Sequence, residues 1–130
     1  MYERFKTNIL VRDKMIKNME RDGIRVDYKK LNKTDYILAL RKKIIEEANE
    51  VAEEEDNSKL IYELADILEV VQSLASALCI KSSEIDKAQK EKREKSGSFK
   101  IGYFTNFVEI EVNNPVIDYY LKKPEKYPKM

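Results

Sequence analysis

Four stretches of the chain repeat their apolar residues every three or four positions, the spacing that places them on one face of an α-helix. The first covers about residues 11–21, with Met15, Ile16 and Met19 apolar and Asp22-Gly23 ending the pattern. The second starts near Asn32 or Thr34, continues to about Glu55, and stacks Ile37, Leu40, Ile44, Ala48 and Val51 in one stripe. The third, about residues 59–78, carries Leu60, Leu64, Ile67, Val71, Leu74 and Leu78 on one side, and Ile61, Ala65, Leu68 and Ala75 widen the arc. So broad an arc exceeds what one neighbouring helix covers, and it predicts a central helix or one shared with a second subunit.

The fourth stretch opens at Ser82-Ser83, with Asp86 behind them in a cap-like arrangement. It closes on the basic run KEKREKSG, where cations suit a helix carboxyl end and Gly97 suits the stop. Two segments depart from helical spacing. IRVDYKKL, residues 24–31, alternates enough to predict a short strand or an extended connection. FKIGYFTNFVEIEV, residues 99–112, is rich in aromatic and β-branched residues around Thr105-Asn106 and predicts two short strands, either as a β-hairpin or as an extended tail. All three prolines follow Asn113. The expectation is an all-α domain over residues 1–112, of four to five helices, and a Pro/Tyr-containing extended tail over residues 113–130.

A length of 130 residues suits one domain with a modest core that association enlarges. The 25 basic and 24 acidic side chains leave a net charge of +1, so no bulk field favours nucleic acid or an acidic membrane, and neither is expected as a partner. No apolar run approaches a membrane span and the start lacks a secretory core, which reads as a cytoplasmic chain. The single cysteine, Cys79, lies in an apolar run and reads as a core thiol. Histidine is absent. Catalytic triads, Cys-His pairs, His-containing zinc sites and Glu-x-x-His di-iron bundles are therefore excluded, and carboxylates are left as the metal ligands.

Carboxylates occur in a suggestive pattern: Glu46-Glu47-x-x-Glu50 on the second helix and Glu63-Leu-Ala-Asp66 on the third. Residues three apart project from one helix face on successive turns, so Glu47 with Glu50 and Glu63 with Asp66 form two pairs. A short connection makes the helices antiparallel neighbours and can set the pairs opposite each other. At 3.6 residues per turn Glu47 borders the apolar stripe while Glu46 points away from it, and Glu63 falls inside the apolar arc with Asp66 at its edge. Four clustered acids repel one another, so a cation is the natural occupant, and hard oxygen donors select Mg²⁺ or Mn²⁺. The competing reading makes the same acids a solvated face with salt bridges to Lys42, Lys43 or nearby lysines.

EEANE followed by ELAD is similar to the E-E-x-x-E and E-x-x-D signature of MazG-like and phosphoribosyl-ATP pyrophosphohydrolase-like proteins. NILVRDKMIKNMERDG resembles the amino-terminal LVRDKI helix of one MazG-like branch, with Met15 and Ile16 standing where that branch usually has Ile-Pro. EKREKSGSF resembles its closing K-R-x-x-x-G-x-F, and the resemblance spans roughly residues 8–104. It implies an α-helical bundle completed as a homodimer or homotetramer. The implied activity is a Mg²⁺-dependent pyrophosphohydrolase that converts a nucleoside triphosphate into the monophosphate and pyrophosphate, acting on non-standard or surplus nucleotides.

By matching positions, Glu47, Glu50, Glu63 and Asp66 would hold the metal. Glu46 would orient water or a second ion. Charge building up on a departing pyrophosphate calls for further cations, for which Arg12, Lys14, Lys92, Arg93 and Lys95 are the candidates. Asn8 could read a base or ribose edge, and Tyr36, Tyr62 or Phe99 could stack on one. Two other readings are a non-catalytic nucleotide- or metal-sensing module of the same fold, and a helical adaptor with the tail as its contact arm.

Overall fold

The computed structural model describes residues 1–130 and contains five α-helices and no strand. The chain resolves into two compact units, Met1–Lys92 and Arg93–Met130. None of its helices is long and apolar enough to cross a membrane.

Helices α1 (Met15–Arg21), α2 (Lys33–Glu53) and α3 (Asn57–Ala77) lie in the first unit. Asn32 starts α2 by accepting the Asp35 backbone N–H at 2.8 Å. Asp56 starts α3 by accepting from the Ser58 N–H and Oγ at 2.9 and 2.7 Å, hydrogen bonds that hold its carboxyl below its ordinary range. Only Glu54, Glu55 and Asp56 separate the two long helices, so they fold back on each other and pack along their length. Their shared core is small: Leu40 on α2 and Val70 and Ala75 on α3 are its buried apolar residues, with Leu40 only 2 % exposed.

The remaining apolar surface is open. Leu38 and Ile45 of α2 are exposed, and so are Ile61, Leu64 and Leu68 of α3, which belong to the broad arc expected for the third helix. A shallow apolar hollow of about 150 Å³ lies among Ile44, Val71, Leu74, Leu78, Ile80 and Ile85.

Helix α1 is shorter than its expected span of residues 11–21. Residues 11–14 precede it, with the Met15 N–H closing a turn on the Arg12 carbonyl at 3.0 Å. Its end is as read from Asp22-Gly23: Gly23 takes φ +83° and the Ile24 N–H returns to the Met19 carbonyl. Residues 24–31 form no strand, since no second strand exists to pair with them. Cys79 is exposed rather than a core thiol. It occupies the left-handed position after α3 at φ +58°, while the Ile80 N–H reaches back to the Ala75 carbonyl at 2.8 Å, so helix termination and not packing fixes its place. Helix α4 (Ser82–Ser96) starts with Glu84 accepting the Lys81 N–H at 2.8 Å, the part that the cap read at Ser82-Ser83 leaves to Asp86.

In the second unit the hairpin expected at residues 99–112 is not formed. The two central residues of a tight hairpin loop usually need positive φ, and neither β-branched Thr105 nor Asn106 adopts it. The tail is not wholly extended either, because α5 (Ile117–Leu121) follows Pro115, with Asn114 Oδ1 accepting the Val116 N–H at 3.0 Å. A proline at a helix start pre-sets φ rather than breaking the helix. Tyr119, Tyr120 and Tyr127 cluster beside it with ring centroids 4.9 to 6.0 Å apart. A hydrogen bond with the Tyr127 hydroxyl, and after it the charge of Lys123, whose Nζ lies 4.5 Å from the Tyr119 ring, lower the Tyr119 phenol's pKa.

Candidate metal centre

The tight link between α2 and α3 brings the carboxylates of the two helices within reach of each other. One oxygen from each of Glu47, Glu50, Glu63 and Asp66 lies within 4.8 Å of the others. Ligand oxygens around an octahedral Mg²⁺ are about 3 to 4.2 Å apart, given metal–oxygen distances of about 2.1 Å. The four acids are thus nearly closed on the volume of one small divalent ion.

Glu47 is the most informative of them. It shares the buried face of α2 with Leu40, two turns away, and is only 6 % exposed. Lys43 Nζ lies 3.6 Å from its Oε1, but its Oε2 is buried without any hydrogen-bond partner, as is Oε2 of Glu63. A buried carboxylate oxygen with no donor is costly, and two of them in one cluster of acids ask for a positive partner. An all-oxygen donor set of this kind fits Mg²⁺ or Mn²⁺.

The electrostatics agree with the geometry. Burial, reinforced by Glu50 and only partly opposed by Lys43, pushes the Glu47 carboxyl up to about 7. Proton sharing with Glu50, then burial and repulsion from Glu50, Asp66 and Glu54, raise the Glu63 carboxyl as well. Two protein cations touch the cluster. Besides Lys43, Arg12 Nη2 donates to Asp66 Oδ1 at 2.7 Å. With all four acids ionised, two cations against four anions leave a charge of −2, which one divalent ion cancels.

Glu46 takes no part in the cluster: as its helical position implies, it turns aside to Lys43 at 3.3 Å. Lys43 therefore serves two glutamates at i+3 and i+4, a spacing legible in the sequence, where it counted only toward the salt-bridge reading. Both readings are partly realised, since the salt bridges exist and still leave the inner oxygens unpartnered. Asn8, Lys14 and Lys92 make no hydrogen bond or ion pair to the four acids, and Arg93 and Lys95 belong to the second unit. Asn8 and Lys14 are exposed, with Asn8 at φ +44°, and Lys92, Arg93 and Lys95 lie on exposed positions of α4.

No family model, no curated protein and no solved structure matches this chain.

Proposed function

We propose that this chain is a Mg²⁺-dependent nucleoside triphosphate pyrophosphohydrolase whose site is the acid cluster of α2 and α3. The observation that carries the reading is the convergence of four carboxylates on one point with buried, unpartnered oxygens on Glu47 and Glu63. The resemblance of EEANE and ELAD to the MazG-like signature selects the nucleotide as substrate and the α–β phosphoanhydride as the bond.

Glu47, Glu50, Glu63 and Asp66 would hold the cation from both helices. A divalent ion there supplies charge neutralisation for the phosphates and acidifies water. In the reaction a water oxygen bonds to the α phosphorus while the bond to the bridging oxygen breaks. The bonding pair leaves with pyrophosphate, and a proton from the water passes to a carboxylate of the cluster or to solvent. Glu50 is placed to receive it, since it is exposed and adjoins both Glu47 and Glu63. Glu46, held by Lys43, orients its surroundings rather than ligating.

Arg12 is the protein cation best placed to meet a phosphate. Its guanidinium is held at the cluster by one contact only, is more than half exposed, and keeps donors free for a phosphate oxygen. A homodimer or homotetramer would complete the bundle, with the open stripe of Leu38, Ile45, Ile61, Leu64 and Leu68 supporting association.

The test is a panel of nucleoside triphosphates, standard and modified, incubated with Mg²⁺ and assayed for monophosphate and pyrophosphate. Pyrophosphate with matching monophosphate supports the assignment. Release of inorganic phosphate alone, or binding without turnover across the panel, defeats it, and the second outcome is that of a sensing module. Absence of both Mg²⁺ binding heat and thermal stabilisation would instead leave the helical adaptor.

A further inference from the structure

Glu46 stands beside the acid cluster in sequence and outside it in space, and its one ion-pair partner is Lys43. Lys43 Nζ donates a hydrogen bond to Glu46 Oε1 at 3.3 Å. Glu47 Oε1 lies slightly further from the same ammonium, at 3.6 Å, in ion-pair range. The lysine makes no ion pair with Glu50, Glu63 or Asp66.

This placement runs against the pull of the cluster. One oxygen from each of four acids lies within 4.8 Å of the others, and only Asp66 has an arginine on it. Glu47 Oε2 and Glu63 Oε2 are buried acceptors without a partner. A lysine ammonium is a compact charge with three donors on a flexible four-carbon stem. Beside such acceptors it gains most by turning toward them, into the space a divalent ion would take. Water does little to hold it back, because the Lys43 side chain is only 17 % exposed. The group that opposes the pull is Glu46, which lies outside the cluster and is 39 % exposed.

The helix dictates the arrangement. Glu46 and Glu47 follow Lys43 at i+3 and i+4, the two spacings at which one ammonium reaches both. Successive residues are turned by about 100° around the axis, so the pair straddles the edge of the buried face, with Glu47 inside and Glu46 toward solvent. Between them Lys43 rests at the rim. Without the charge of Glu46, the remaining attraction comes from the cluster alone.

We propose that Glu46 is a positioning residue acting through Lys43: it holds the ammonium at the rim, against Glu47 Oε1, and so keeps it out of the place of the divalent ion. The role rests on the metal-binding reading of the cluster, and it assigns Glu46 no contact with metal or substrate.

The experiment is a double-mutant cycle on the full chain, with Glu46→Gln made in the native background and in a Lys43→Met background. Mn²⁺ affinity is read by calorimetry and by the electron paramagnetic resonance signal of free Mn²⁺, with helical circular dichroism as the check on folding. In the native background Glu46→Gln is expected to weaken Mn²⁺ binding about tenfold, the scale seen for groups that orient metal ligands. In the Lys43→Met background no ammonium is left to enter the cluster, and the same change is expected to alter affinity less than about twofold. Adding Lys43→Met to Glu46→Gln thus restores binding, which removing the second half of a merely structural salt bridge could not do.

An equal loss in both backgrounds would make Glu46 a ligand or a plain charge, and no loss in either would leave a surface ion pair; each result overturns the proposal. A native chain that takes up no Mn²⁺ would remove the metal centre itself, and the role of Glu46 with it. That failure shows in the native titration, before any variant is compared.

Discussion

Arg12 donates a 2.7 Å hydrogen bond to Asp66, tying the segment before α1 to a carboxylate of the candidate metal centre 54 residues further along the chain. Under the proposed function this contact would act with opposite signs on the binding of metal and of nucleotide. In the free protein the guanidinium competes with a divalent ion for the charge of Asp66; in the complex it would face the phosphates.

Arg12→Ala is therefore expected to tighten Mn²⁺ binding about two- to fivefold without nucleotide, in line with the modest strength of exposed ion pairs. It is expected to raise KM for the nucleotide about tenfold, the scale of one lost charge-assisted hydrogen bond. Calorimetry and steady-state kinetics read the two effects separately. A fall in both affinities would mean that Arg12 only supports the fold.

Glu47→Gln removes the buried charge and brings an amide donor toward acceptors that have none. Without metal at pH 8 the variant is expected to melt several degrees above the native chain, because a repulsive carboxylate is replaced by a neutral hydrogen-bonding group. Its Mg²⁺-dependent rise in Tm is expected to disappear. A lower Tm for the metal-free variant would show that Glu47 is already compensated in the native chain.

The raised carboxyl of Glu47 sets a pH dependence with a definite sign. Its folded value of about 7 lies above the ordinary glutamate value of 4.5, so the folded state holds a proton that the unfolded state releases. That stabilisation is complete below about 4.5 and is lost as pH rises through 7. Metal-free protein should lose Tm between pH 5 and pH 8 on this account, and Glu63 acts in the same direction. Divalent ions compete with those protons, so Mg²⁺ should raise Tm more at pH 8 than at pH 5.5. Scanning fluorimetry over a pH series with and without Mg²⁺ checks both slopes; an equal metal effect at both pH values would rule out proton–metal competition at this site.

Glu63→Ala or Asp66→Ala should lower pyrophosphate release at least a hundredfold, the scale of losing a metal ligand or its orientation. Helical circular dichroism and native mass should stay unchanged. Turnover close to that of the native chain in either variant would remove the cluster from the reaction.

Leu40→Ala tests the core that holds α2 against α3. Leu40 is the most buried apolar side chain, and its truncation should cost about 2 to 5 kcal/mol in urea unfolding, in keeping with Leu→Ala changes in packed cores. A loss under about 1 kcal/mol would mean that the α2–α3 contact contributes little to stability.

The sequence by itself determined the helices and the makeup of the acid pairs. Apolar spacing placed α2, α3 and α4 to within a few residues, because a 3.6-residue period and its capping residues are local properties. The same spacing separated Glu47 from Glu46, which the structure bears out by sending Glu46 to Lys43. Local reading failed where a partner decides the outcome: residues 99–112 have strand-like composition and no strand beside them, and a short helix follows Asn114-Pro115 where an extended tail was expected; at residues 24–31, of the two alternatives read there, the connection and not the strand is found.

Only the tertiary structure decided that the two acid pairs meet. It alone showed that Glu47 Oε2 and Glu63 Oε2 are buried without a hydrogen-bond partner, that Arg12 reaches Asp66, and that Asn8, Lys14 and Lys92 make no hydrogen bond or ion pair with the cluster. The physical reason is that a helix fixes which side chains share a face, whereas desolvation and charge pairing between distant residues depend on the turn at Glu54–Asp56 and the packing of Leu40 against α3.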